Sequence, residues 1–324
     1  MNSSVSSNSR YYVRRVITST SRRTLSICTA IGLCCDQRFL QITSFRSPRV
    51  DGLFAIFFVF SRHGIPGSQV AAMSPDEVLE SMRRSLPVND GFECYPFKVG
   101  SYNDVINAPF TLDYDYNTMA VLVLNTPKMF DVSFRRWLVE KAEGGDYNEA
   151  AERVPNPIQS FMQDRMQDAA KELSDLTPEV MHDYDLWPNR RPKILMCTCG
   201  HVAGAAYYYK PEPPPEIIGL PSPKMIGVSL HPKYGGHFAF RAVFIFPGMS
   251  LPEEFMEPSP PKILHTESSI TKTIELFNVH WRDGRFRDCG SPKERYSQQQ
   301  TDYFARPPAE RWQVIADWFE NPII

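Results

Sequence analysis

The segment His237–Phe246 most constrains the fold, because a strand of this sequence has no polar face. Side chains alternate across a strand. That sets Phe238, Phe240, Ala242, Phe244 and Phe246 on one side and Ala239, Arg241, Val243 and Ile245 on the other. A strand apolar on both sides belongs inside a sheet covered on both faces. It also buries Arg241, and a buried guanidinium requires a partner because an unpaired charge there costs several kcal/mol.

Other segments supply the layers. Met119–Leu124 is a continuous apolar run that reads as a second buried strand, and Phe92–Val99, Lys193–Cys197 and Met225–Leu230 are strand-like. Ser74, Pro75 and Glu77 form a helix-start signature, predicting a helix over 75–86 that stops at Pro87 and the Asn89-Asp90-Gly91 turn. Asp131 is placed to cap a helix carrying Phe134, Trp137 and Leu138 and ending at Gly144-Gly145. Helical periodicity continues over Pro157–Leu173, Ser269–Phe277 and Pro308–Phe319. The Pro-rich stretches Pro211–Pro223 and Pro247–Pro261 read as surface loops. Without a regular βαβ alternation, this order of elements predicts an α+β fold.

The chain has 324 residues and a net charge of −2, but the charge is uneven. Residues 1–72 carry nine Arg, no Lys, and only Asp36 and Asp51 as acids, which leaves the remainder acidic. A nucleic-acid partner is therefore not expected for the folded part. The Arg-rich, acid-poor 1–72 segment reads as an extension, either a mitochondrial targeting segment or a stretch without fixed structure, preceding a single domain over 73–324. The longest apolar run, Leu53–Phe60, is too short to cross a bilayer, so no membrane span is expected. Seven cysteines without regular spacing fit a reducing compartment better than a disulfide framework.

Pro188–Tyr209 holds the densest chemistry, with His201 beside a Gly and Ala patch and Tyr207, Tyr208 and Tyr209. Small residues let a broad ligand approach the backbone and the phenols offer aromatic faces, but the same pattern also suits two closely packed elements around a core histidine. Cys197, Cys199 and His201 stand at period two, half of a metal site if they lie on a strand. No second Cys or His pair has suitable spacing, although Asp183 or His231 could join, and no protein-bound metal is expected. Arg241, the Arg282, Arg285 and Arg287 cluster, and Arg311 could together hold a polycarboxylate through paired hydrogen bonds, or could form an internal Arg–Asp network. His231 and His237 flank Gly235-Gly236, a pattern that reads as a hairpin loop with surface histidines. The common phosphate-loop, dinucleotide, hydrolase and zinc-protease motifs are missing from the sequence. Any difficult chemistry would then come from a bound cofactor or cosubstrate, with no catalytic side chain supplied by the protein.

Several segments recur together in a known order: Tyr95–Phe97, Asn125–Asp131, Asp183-Tyr184, Pro188–Lys193, His201–Tyr209, His231-Pro232, Gly235-Gly236, Ala239–Arg241, Phe277–Asp288, Glu294–Ser297 and Pro307–Arg311. In these the chain resembles the CblC-type cobalamin-processing proteins, the MMACHC family. The resemblance implies a nitroreductase-like, flavin-reductase-like fold with a mixed, mainly antiparallel sheet and flanking helices. It implies a cytoplasmic protein that binds base-off cobalamin and removes the upper axial ligand. Cyanide would leave by reductive decyanation with reduced flavin (FAD or FMN, fed by NADPH), and an alkyl group would transfer to glutathione.

Carried over by position, the resemblance implies cobalamin contacts at Asp183, Ile194, Leu195, Met196, Cys197, His201, Tyr208, Tyr209, Lys210, Ser229 and Phe240. It implies glutathione contacts at Arg241, Arg287 and Arg311. The better-known members place Gln, Cys and Trp where this chain has Lys210, Ser229 and His237. The partners implied are a CblD-type adapter protein, the methionine synthase pathway, a flavin reductase and a second copy of the chain. The competing readings are a cobalamin chaperone without catalysis and a flavin reductase that never meets cobalamin.

Overall fold

The capping box predicted at Ser74 is formed: the Ser74 hydroxyl accepts the Glu77 N–H, and the Glu77 carboxylate accepts the Ser74 N–H. The helix it starts, α1 (Pro75–Ser85), buries Val78, Leu79 and Met82. The protein is described by a computed structural model over residues 73–142, 146–211 and 225–320. The expectations for residues 1–72, for Gly144-Gly145 and for nearly all of the Pro-rich stretch 211–223 lie outside the described residues.

Four strands, β1 (Phe92–Lys98), β2 (Thr118–Asn125), β3 (Glu179–His182) and β6 (Ala239–Ser250), form one antiparallel sheet in the order β1-β2-β6-β3. A separate pair, β4 (Tyr207–Tyr209) and β5 (Val228–Leu230), is also antiparallel. Between them the chain forms α2 (Val99–Asn103), α3 (Arg135–Lys141), α4 (Tyr147–Arg153), α5 (Pro157–Glu172) and α6 (Met196–Val202). It closes with α7 (Glu267–Val279), α8 (Gln298–Ala305) and α9 (Asp317–Glu320). The architecture is α+β, as expected, and every strand pair among the described residues is antiparallel rather than mixed.

The sheet is covered on both faces. Met119, Val121 and Val123 of β2 and Ala242, Phe244 and Phe246 of β6 pack into one core with Phe130, Phe134, Phe161, Tyr303 and Trp318. Ala120, Leu122 and Leu124 join Phe238, Phe240, Val243 and Ile245 in a second core that includes Cys199, Ala203 and Ala206. All eight residues of β2 are buried, which explains its unbroken apolar run.

The alternation read for His237–Phe246 is corrected here. Val123 pairs with Ala242 but Leu124 pairs with Phe240, so Arg241 is an extra residue in β6. A bulge of this kind shifts the side-chain phase of its strand. Phe238 and Phe240 therefore share a face with Val243 and Ile245, and not with Phe244 and Phe246. A second irregularity near Pro247, which has no N–H to give to a ladder, lets β6 run on to Ser250 in a stretch expected to be loop.

Other expectations also change. Lys193–Cys197 is not a strand: Leu195 donates its N–H to Tyr102 Oη, and its carbonyl then accepts the Thr198 and Cys199 N–H groups that begin α6. Asp131 does not cap a helix. It lies inside a π-helical turn, Phe130–Phe134, and accepts the Ser297 hydroxyl. The helix expected over Pro308–Phe319 is a 3₁₀ segment, Pro308–Ile315, followed by α9. Met225–Leu230 contracts to β5, and α4, α8, β3 and β4 are elements the sequence pattern did not signal.

Phe244 is fully buried in the larger core. Phe244→Ala should cost about 3–5 kcal/mol through lost burial and a residual cavity, read as a lowered midpoint in urea denaturation with an unchanged slope.

Candidate functional site

A cavity of about 540 Å³ opens where the second core meets β5 and the segment around Arg287. Its volume lies in the usual range for small-molecule sites. Ile194, Leu195, Met196 and Cys197 form one wall at the start of α6, Tyr208, Lys210 and Ser229 a second, and Phe238, Phe240, Phe277 and Phe286 an aromatic third. Asp183, Arg241 and Arg287 add charge to this apolar enclosure. The bulge has a direct consequence: by changing the phase of β6 it turns Phe238 and Phe240 toward the cavity. Gly200 of α6 makes room for this, since a Cβ there would overlap the Phe240 ring.

Of the residues implied by the resemblance, Asp183, Ile194, Leu195, Met196, Cys197, Tyr208, Lys210, Ser229, Phe240, Arg241 and Arg287 line this cavity together. His201, Tyr209 and Arg311 do not. His201 and Tyr209 line a neighbouring cavity of about 490 Å³ with Tyr207, Lys262 and Thr271, which shares Tyr208 and Lys210 with the first. His201 Nδ1 accepts the Tyr208 N–H at 3.2 Å, so the ring ties α6 to β4, and burial and nearby Lys210 lower its pKa. Tyr209 Oη accepts the N–H groups of Ile263 and Leu264.

Arg311 lines a small chamber of about 30 Å³ together with Tyr184 and Tyr303, and Asp183, Arg241 and Phe304 border both this chamber and the main cavity. Arg311 thus shares the small chamber with Asp183 and Arg241, and Arg287 shares the main cavity with them. The Arg241 Nε donates to Asn125 Oδ1, and its guanidinium lies 3.6 Å from Asp183 Oδ2, an ion pair too long to be a hydrogen bond. Burial pushes the Asp183 carboxyl up to about 7 despite the attraction of Arg241. Arg287 donates to the Gly236 carbonyl at 2.7 Å and stacks on Phe286 and Tyr296; among the described residues no carboxylate pairs with it.

The cysteine and histidine readings resolve differently from their spacing. On helix α6, Cys197 and Cys199 point apart: Cys197 faces the cavity and Cys199 is buried in the second core. Among the described residues no group of His, Cys, Asp and Glu is arranged to hold a metal ion. Burial raises the pKa of both thiols. The expected surface histidines are instead buried. His237 bonds Asp288 through Nε2 and accepts the Tyr296 N–H at Nδ1, anchoring the segment that carries Arg287. His231 lies 3.5 Å from Glu93 and packs against the Phe238 ring.

Glu93 is a residue the sequence reading missed. It accepts hydrogen bonds from both Tyr95 and Tyr234, and these with His231 outweigh its burial and hold its pKa down at about 2. Its only signal was an acid within the strand Phe92–Val99, with no spacing to tie it to His231 or Tyr234. Asn125 was visible as the polar end of the Met119–Leu124 run.

An α+β protein whose apolar cavity is lined by Arg241 and Arg287 is the class that fold and site define. Comparison with known proteins narrows it. The profile of the methylmalonic aciduria and homocystinuria type C family, MMACHC, matches residues 91–315. An MMACHC-like protein of Caenorhabditis elegans is 48% identical over 260 residues, covering 75% of this chain and 95% of that protein. A Gallus gallus protein named cyanocobalamin reductase / alkylcobalamin dealkylase is 40% identical, covering 69% of this chain and 90% of its own. The crystal structure of a C. elegans B12-trafficking protein CblC, described as a human MMACHC homologue, superposes with a TM-score of 0.72 at 46% identity over 77% of this chain and 98% of that one. The chain belongs to the MMACHC family.

A carboxylate whose folded pKa is depressed stabilises the fold above its unfolded pKa, and that contribution is lost as pH falls from about 4.5 toward about 2. Glu93→Gln should therefore lower stability at pH 7 by about 2–3 kcal/mol. The deficit should shrink when denaturation is repeated near pH 3.

Proposed function

We propose that this chain processes cobalamin: it binds the corrin ring, with the lower base displaced, in the main cavity and removes the upper axial ligand. The observation that carries this reading is a broad apolar enclosure lined by two guanidinium groups, Arg241, which is buried, and Arg287, which is half-buried. Broad apolar walls suit a corrin ring; arginines at the end of the cavity suit the carboxylates of a peptide thiol such as glutathione. The names of the relatives support the same activity, cyanocobalamin reductase / alkylcobalamin dealkylase.

In dealkylation the glutathione thiolate attacks the carbon bound to cobalt. The C–S bond forms, the Co–C bond breaks, and its electron pair stays on the metal, so Co(III) becomes Co(I) and a thioether is released. Arg241 and Arg287 hold the peptide carboxylates and favour negative charge near the thiol, while the apolar walls fix the approach. The protein supplies position and no nucleophile. For decyanation, electrons come from reduced flavin or a reductase partner, which fits a nitroreductase-like ancestry. A cytoplasmic location and transfer to a CblD-type adapter and the methionine synthase pathway complete this reading.

Anaerobic mixing with methylcobalamin and glutathione tests it. The expected result is a base-off spectral shift followed by S-methylglutathione and Co(I). A shift without thioether leaves a chaperone, and no spectral change removes cobalamin from the reading. Removing one member of a buried charged pair costs about 2–5 kcal/mol, so Arg241→Ala should slow dealkylation on the order of a hundredfold while methylcobalamin affinity stays within about threefold. Equal losses in both would make Arg241 a purely structural residue.

A further inference from the structure

Among the described residues Asp183 is the one carboxylate on the wall of the main cavity, and it occupies the place beside Arg241 that an anionic ligand would need. Its backbone N–H donates to the Arg241 carbonyl at 3.0 Å, continuing the β3–β6 ladder, so the two residues are pinned together at the bulge. Both are buried. Asp183 Oδ2 nevertheless has no hydrogen-bond partner. A buried carboxylate oxygen left in that state is an acceptor, or when protonated a donor, whose partner has yet to arrive.

We propose that a carboxylate ligand seats at Arg241 together with one proton, which Asp183 takes up. This rests on the reading of the cavity as a glutathione site. Two carboxylates around one guanidinium repel, whereas a protonated Asp183 donates through Oδ2, which makes no hydrogen bond of its own, to the incoming carboxylate and leaves Arg241 its full charge. The other groups facing it act in both directions: Arg311, beside Tyr303 on the small chamber, and Arg287 on the main cavity favour the ionised carboxylate, while Asp185, next to Tyr184 on the same loop, favours the neutral form. Burial and Asp185 favour the neutral carboxyl and Arg241 opposes it, which already places its titration at about 7.

The sign follows from linkage. An anion at Arg241 raises the pKa of Asp183 further, so binding takes up a proton above about pH 7 and affinity falls there as pH rises, by up to about tenfold per unit. Below that pH Asp183 is already neutral and affinity levels off. Asp183 thereby selects for ligands delivered with a proton and makes the arginine site a pH-dependent one.

Calorimetric titration with S-methylglutathione, whose sulfur no longer titrates, tests this from pH 6 to 8 in two buffers of different ionisation enthalpy. Uptake approaching one proton at pH 8 is expected, with affinity falling several-fold between pH 7 and 8. Asp183→Asn, whose amide can donate as the protonated acid does, should bind at pH 8 about as tightly as the wild type at pH 6, with no proton uptake. Binding by the wild type without proton uptake overturns the inference while sparing the glutathione reading, and needs no variant to fold. An unchanged pH slope in Asp183→Asn overturns it as well. Absence of binding at every pH removes the glutathione reading and the inference with it.

Discussion

One inserted residue organises this protein. Arg241 is the extra position of a bulge in an interior strand of the sheet, and the phase change it causes decides which aromatic rings build the helical core and which face the cavity. Upstream of it, Phe238 and Phe240 belong to the ligand side; downstream, Phe244 and Phe246 belong to the opposite core. The same residue brings a charge into the buried interior. Asn125 and Asp183 are arranged around that charge.

The rest of the site is held by connections between distant segments. His201 ties α6 to β4, His237 ties the end of the Gly235-Gly236 turn to the segment bearing Arg287, and the Glu93 network braces the turn at His231 behind the Phe238 ring. Each of these histidines does its work as a hydrogen-bonding ring. None is free to bind a metal together with the cysteines among the described residues.

What the sequence made legible was local or chemically compelled. The capping box at Ser74 is a three-residue signal, Met119–Leu124 is apolar enough to be buried in any fold, and Arg241 announced its need for a partner. The bulge was invisible, because an alternation count assumes that every residue faces a neighbour, and only the pairing of Val123 and Leu124 reveals the extra one. The helix at α6 was misread because its start depends on Tyr102, far away in sequence, accepting the Leu195 N–H. The buried histidines were misread for the same reason, since their carboxylate partners come from Glu93 and Asp288. Of the residues implied by resemblance, most share one cavity, while His201, Tyr209 and Arg311 border adjoining spaces.

Cys197 gives the cavity a property beyond shape. Its sulfur stands on the wall beside Ser229, yet burial raises its pKa. A thiol held in its neutral form is a poor nucleophile and resists alkylation and oxidation. Two sulfurs sharing this enclosure would then be told apart by their electrostatic surroundings: one silenced in the wall, the other arriving alongside guanidinium groups that favour its anion. The container is thereby protected from the chemistry proposed for its contents.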